Sequence, residues 1–146
     1  MQFLSKKELH SKVEIKLEAY AKTKDIEFKV AVNIAKTRIL PAITKQIDML
    51  ARARTAIKAT GAVPALDNDI KILNKLYATI EKGIFGLSKA IVFCEKQKGA
   101  LKSAKMYAGK GAQVLEKLRS AVDEAEEIVA DELWPLAKYQ ELLLVL

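Results

Sequence analysis

Few side chains in this sequence could do chemistry: there is one histidine, His10, and one cysteine, Cys94. A lone imidazole cannot build a His-rich metal site, and no Ser or Cys elbow stands near it to complete a nucleophilic triad. A single thiol cannot form an internal disulfide. His10 reads as a surface or partly buried residue near the start of a helix, and Cys94, on an apolar seam, reads as a small buried hydrophobe. Glu124, Glu126 and Glu127 are candidate metal carboxylates by type. Their near-consecutive spacing, however, spreads them around a helix instead of aiming them at one point, so they read as a solvated or salt-bridged face. Gly109-Lys110-Gly111 has the composition of a phosphate loop but sits inside a helical seam, where glycine marks close approach of two backbones. No P-loop, GxGxxG, CxxC, HExxH or Glu-x-x-His pattern occurs. The expectation is therefore no catalytic residue, no metal ligand and no cofactor site in this chain.

The frame that holds these residues is set by composition. The 146 residues suit one domain, and hydrophobic residues at 51% with charged residues at 29% exclude a disordered tail. Only 6 Gly and 3 Pro leave little material for a turn-rich β-fold, so helix is expected. The longest apolar runs, Ala90 to Cys94 and Leu142 to Leu146, fall far short of the ~20 residues of a spanning helix. The opening Met-Gln-Phe-Leu-Ser before Lys6 and Lys7 lacks the apolar stretch of a signal peptide. Together with the single cysteine, this predicts a reducing, cytoplasmic setting and no membrane partner.

The net charge of +7 resides in residues 1–60, whereas residues 61–146 are balanced. In the second half, Lys98, Lys102, Lys105, Lys110, Lys117 and Arg119 precede the acidic block Asp123, Glu124, Glu126, Glu127, Asp131 and Glu132, and antiparallel neighbours could pair the two. The basic first half suggests a polyanion partner. The interleaved Glu8, Glu14, Glu18 and Glu27, and the absence of an aromatic platform or Arg cluster, argue instead for a solvated helical surface and against nucleic acid.

Ser5-Lys6-Lys7-Glu8 has the spacing of a capping box and predicts a helix start. Leu9, Val13, Leu17 and Tyr20 then mark one face of a helix running to about Lys22. Thr23 with Asp25 offers a new cap, and Ile26, Val30, Ile34, Ile47, Leu50 and Ile57 carry a second stripe to Thr60, kinked or broken at Pro41. Gly61 and Pro64 should stop it. Asp67 or Asn68 caps a third helix with the seam Ile70, Leu73, Tyr77, Ile80, Ile84, Leu87, Ile91 and Cys94. Gly99 ends that helix. A fourth follows with Leu101, Ala104, Ala108, Gly111, Leu115, Leu118, Val122, Ala125 and Val129, forming an antiparallel hairpin with the third. The small residues at its start should let a partner helix come closer there. Pro135 suits the first position of a short C-terminal helix packed by Trp134 and Tyr139, and the apolar Leu142, Leu143 and Leu144 need a surface to bury against. The prediction is a single all-α domain: an antiparallel helical bundle of about four long helices, one kinked at a proline, plus a short C-terminal helix.

Trp134-Pro135-Leu136-Ala137-Lys138-Tyr139-Gln140-Glu141-Leu142-Leu143 resembles the closing motif of type III glutamine synthetases, preceded, as in that family, by an acidic helix, Asp123-Glu-Ala-Glu-Glu-Ile-Val129. Near the start, Glu8-Leu-His-Ser-Lys-Val-Glu-Ile-Lys-Leu-Glu-Ala-Tyr20 and Ala35-Lys-Thr-Arg-Ile-Leu-Pro-Ala42 are similar to the stretch that follows the catalytic domain in those enzymes. The resemblance extends over essentially the whole chain and is most specific at these places. Ala137 departs from the Pro of the family pattern, which bears on the rigidity of the final turn.

The resemblance implies the C-terminal helical domain of a larger bacterial enzyme that joins ammonia to glutamate with ATP and Mg or Mn. The catalytic domain is absent from this chain, and no catalytic residue carries over. The implied role is packing against the chain's own catalytic domain and neighbouring subunits of a homo-oligomer, with Pro41, Trp134, Pro135, Tyr139, Leu142, Leu143 and Leu144 as candidate interface residues. The alternatives are a freestanding helical adaptor for a protein partner and a basic polyanion-binding domain.

Overall fold

The computed structural model describes residues 5–62 and 65–138, and every regular element among them is helical. Helix α1 (Lys6–Ile34) opens on the predicted capping box. The Glu8 amide donates to the Ser5 hydroxyl at 3.3 Å while the Ser5 amide donates to the Glu8 carboxylate at 2.8 Å. These hydrogen bonds to Ser5 hold the Glu8 carboxyl below its ordinary range.

A break near Lys22 was expected, and there is none. Thr23 and Asp25 lie within α1, which passes through a π-turn (Ala35–Ile39) directly into α2 (Leu40–Ala59). Four long helices thus become three long rods, because the first two predicted helices are one. Pro41 marks the join. Proline has no amide to give to the preceding turn, and just before it the Leu40 amide reaches back five residues to the Ala35 carbonyl. The wider turn accommodates the proline without ending the helix. Gly61, at φ 82°, closes the rod as predicted, and Pro64 lies outside the described residues.

The second rod is α3 (Asp67–Glu95): of its predicted seam Leu73, Ile80, Leu87, Ile91 and Cys94 are buried and Ile70, Tyr77 and Ile84 half-buried, and Leu76, which the seam omitted, is buried as well. Asp67 and Asn68 do not cap it, since the N-cap position is Leu66 with no side-chain cap. Asp67 is instead held in a two-pronged pair with Arg54 of α2, which pins the corner between the first two rods. Gly99, at φ 96°, leads into the third rod, made of α4 (Ala100–Met106), a second π-turn (Tyr107–Gly111) and α5 (Ala112–Ile128). A 3-10 turn (Asp131–Leu133) follows, and residues 134–138 are not helical. The short C-terminal helix expected from Pro135 does not begin there: Trp134 is extended at φ −76°, ψ 121°, as a residue before proline or an N-cap is, but residues 135–138 after it are not helical.

Cross-rod contacts fix the directions. Lys29 meets Glu95 and Arg54 meets Asp67, so α3 runs antiparallel to the first rod. Gly83 faces Leu118 and Gly86 faces Val114, so the predicted α3–α5 hairpin is present. Asp25 meets Tyr107, Phe28 meets Gly111 and Gln46 meets Ala130, so the third rod runs parallel to the first. The basic and acidic blocks of the second half therefore follow one another along the same rod and adjoin at Arg119 and Asp123, which pair inside α5. Among the described residues no ion pair joins the two blocks across a hairpin.

The Arg54 guanidinium holds the Asp67 carboxyl below its ordinary 3.8, so Asp67 favours the folded state above that value and loses this contribution as pH falls through the lower folded value. Asp67→Asn should lower the melting temperature at pH 7. The gap to the wild type should persist to about pH 4 and close below it; a gap that stays constant down to pH 2 would show that the pair does not act through charge.

Candidate functional site

Chemistry-bearing side chains do not converge in this fold. His10 is exposed on the first turns of α1, and Glu124 and Glu127 are exposed on α5 with Glu126 half-buried. Cys94 is 2% exposed, and burial, with Asp25 as a lesser cause, pushes its thiol pKa up, away from the reactive thiolate. Among the described residues no group of three or more His, Cys, Asp or Glu side chains is placed to hold a metal ion. The features that organise the surface are packing seats.

The first seat joins all three rods. Phe28 of α1 is 1% exposed and meets the Tyr107 ring edge-to-face, with centroids 5.4 Å apart at 71°. Beneath it lies Gly111. A Cβ built there would stand 2.5 Å from Phe28 Cε2, so glycine is what admits the ring. Close packing at this glycine was expected, but the partner is α1 and not the hairpin neighbour α3. Gly109 faces open space.

Tyr107, 2% exposed, has a hydroxyl that must find an acceptor. It donates to Asp25 at 2.8 Å, and burial first, then this carboxylate, push its pKa well above the ordinary value. Lys29 donates to the other Asp25 oxygen at 2.7 Å and to Glu95 of α3 at 2.7 Å, and these hydrogen bonds raise its pKa. Asp25, read from sequence as a cap, is thus the hub of a chain from the second π-turn through α1 to α3. The seam through Ala108 also missed Tyr107. The π-turn of residues 107–111 adds one residue to the repeat, so Tyr107 faces inward and Ala108 outward.

The second seat is at the far end of the third rod. Val129 is 2% exposed and Trp134 7%, both within the main core. The Ala130 amide, just past the helix end, donates to the Gln46 side chain of α2 at 3.2 Å. Lys138 donates to the Val129 carbonyl at 3.3 Å and pairs with Asp131. Trp134 is the buried anchor that its type predicts, although its indole Nε1 finds no hydrogen-bond partner among the described residues. Next to this seat is an apolar groove of about 240 Å³ between α1 and α5, lined by Ile34, Ile39, Leu115, Val122 and Leu136 among others. Of the predicted interface residues, Pro41 is exposed, Pro135 half-buried and Trp134 buried. Tyr139, Leu142, Leu143 and Leu144 lie outside the described residues.

The third feature is a face that the other described residues leave open. The predicted stripe Leu9, Val13, Leu17 and Tyr20 does share one side of α1, yet Leu9 is 54% exposed, Val13 47% and Tyr20 38%. Ile26 and Val30 of the second stripe are likewise exposed. The core takes Ala21, Phe28, Ala35 and Ile39 instead, on a neighbouring face of the same helix. Ala21 is the first buried residue of α1, so about four turns project beyond the bundle.

Residues 1–58 match the family model of the glutamine synthetase C-terminal domain. Over that stretch the chain is similar to the glutamine synthetase C-terminal domain, and the match includes Glu8–Tyr20 and Ala35–Ala42. It takes in the first rod almost to its end. No curated protein and no solved structure matches the chain. No helix among the described residues is long and apolar enough to cross a membrane.

Both seats predict stability changes. Gly111→Ala should destabilise by about 1–3 kcal/mol, as overpacking of a filled core does, while Gly109→Ala should be neutral or slightly stabilising; equal melting temperatures for the two variants would contradict the Phe28 seat. Trp134→Ala should cost about 3–5 kcal/mol in denaturant unfolding. A cost below about 1 kcal/mol, the range of surface substitutions, would show the indole to be dispensable.

Proposed function

We propose that this chain is the noncatalytic C-terminal accessory domain of a type III glutamine synthetase, and that it packs against its own catalytic domain and neighbouring subunits of a homo-oligomer. The observation that carries the reading is that the family match includes the first rod, whose opening turns present an apolar face that no other described residue covers. A domain that worked alone would gain nothing by exposing that face to water. Its large apolar side chains fit a role in contact, not in turnover.

In this reading the parent enzyme ligates ammonia to glutamate with ATP and Mg or Mn in a region upstream. The described residues supply no convergent donor set for such an ion, so no step of the ligation is assigned to them. The cytoplasm, where glutamate and ATP are at hand, is the proposed setting. A freestanding adaptor could use the same face to hold a partner helix.

The mass of the native polypeptide separates the two. An antibody raised to this chain should detect a band several times larger than 16.2 kDa in the source cells. A band at 16.2 kDa would remove the synthetase parent and leave the adaptor. In the full-length enzyme, deletion of Leu142 to Leu146 should weaken subunit assembly as read by sedimentation; unchanged assembly would exclude that segment from the packing role.

A further inference from the structure

The projecting turns of α1 carry cations beside their apolar face. Lys12 and Lys16 border the stripe of Leu9, Val13 and Tyr20, Lys6 stands one turn before it, and all of these lysines are exposed. None of the three makes an ion pair among the described residues, unlike Lys24, Lys29, Arg52 and Arg54 further along the rod. At the opposite pole, the end of α5 shows the reverse pattern. Glu124, Glu127 and Glu132 are exposed and make no ion pair among the described residues, while Asp123 and Asp131 are engaged by Arg119 and Lys138. Apolar surface lies among these carboxylates: Ile128, one turn beyond Glu124, is 37% exposed and Leu136 is 36% exposed.

A basic apolar face at one end of the molecule and an acidic apolar face at the other cannot meet within one chain, because the rods hold them apart. They can meet between chains. An antiparallel pairing of two α1 faces would bring Lys12 and Lys16 against their own copies, which is repulsive; the α5 end brings carboxylates instead.

We infer that the projecting half of α1 docks on the α5 end of a second copy of this chain, head to tail, with Leu9, Val13 and Tyr20 against Ile128 and Leu136, and Lys12 and Lys16 facing Glu124 and Glu127. Such a contact is heterologous and propagates into a ring or a line of copies, not a closed two-fold dimer. It would give the packing role proposed above a definite partner, yet it rests on this chain alone. A native band at 16.2 kDa would remove the synthetase parent and leave this contact standing, whereas a monomeric chain would remove the contact and leave the parent.

Sedimentation velocity of the 146-residue chain over a concentration series tests it. At about 50 mM salt the average mass should rise above the monomer with concentration, and at about 500 mM the association should weaken at least roughly tenfold, since exposed charges are screened. Lys12→Glu with Lys16→Glu should be monomeric, as should Glu124→Lys with Glu127→Lys, each with the circular dichroism of the wild type because all four side chains are exposed. Mixing the two double variants should restore association, since each then offers the charge that the other needs. A wild type that is monomeric at low salt, a double variant that associates like the wild type, or a mixture that stays monomeric would each overturn the inference. So would a monomeric chain that binds anionic lipid vesicles through the same lysines, which would assign the face to a membrane surface.

Discussion

The seat of Phe28 on Gly111 sets the register of the whole bundle. An aromatic ring from one helix can lie against another helix's backbone only where that backbone has no side chain, so the contact fixes both residues at once. Tyr107 then closes over the ring edge, and its buried hydroxyl requires an acceptor within reach. Asp25 stands one turn before Phe28 and supplies it. The same carboxylate takes Lys29, which reaches on to Glu95 at the end of α3. One aromatic contact thus determines where each of the three rods stands relative to the other two. The hydrogen bonds follow from it: they satisfy a polar atom that the packing has buried, and surface pairs such as Lys29 with Glu95 add little energy of their own.

Two π-turns let long helices meet this constraint. Each adds one residue to the repeat and rotates everything after it relative to what precedes it. In the third rod the added residue turns Tyr107 inward and brings Gly111 beneath the ring. In the first rod it falls just before Pro41, where the ladder of amide hydrogen bonds is already interrupted. The proline is therefore less a kink than the place where a change of face costs least. Ile39, Leu40, Ala42 and Ile43 are all buried around it, a density of core residues that an uninterrupted α-helical turn does not present to one side.

What the sequence disclosed follows from how each helix distributes its apolar residues. In α3 the buried large side chains follow one seam, legible from Leu73 to Cys94 apart from Leu76, while Ile72, Phe85, Val92 and Phe93 lie off it and are exposed. In α1 they are spread around the cylinder, with Leu9, Val13 and Tyr20 on one side, Ile15 and Ile26 on another, and small Ala21 and Ala35 on the side that is buried. Periodicity favours bulk, and here bulk points away from the core, so the stripe was found but its burial was not. The division at Thr23 failed for a related reason: a Thr and an Asp near each other look like a cap, whereas Asp25 is required three-dimensionally by Tyr107, which stands 82 residues away. Trp134 was legible because its size leaves few alternatives to burial. The register shift at Gly111 was not, since nothing in a spacing of small residues announces an extra residue in the turn.

The uncovered start of α1 is not a helix that stands by itself. Its capping box satisfies the first amides, but a segment of about four turns is marginal in water, and Lys12 and Lys16, one turn apart with like charge, oppose it further. Its helicity is propagated from the bundle through the continuous backbone at Ala21. Any partner that covers Leu9, Val13 and Tyr20 while neutralising the two lysines would stabilise the helix and the contact together, so the two would form as one step. The family match spans this whole segment and runs almost to the end of the same rod. Among the described residues, the apolar side chains at the start of the matched sequence are thus the ones that the bundle does not use.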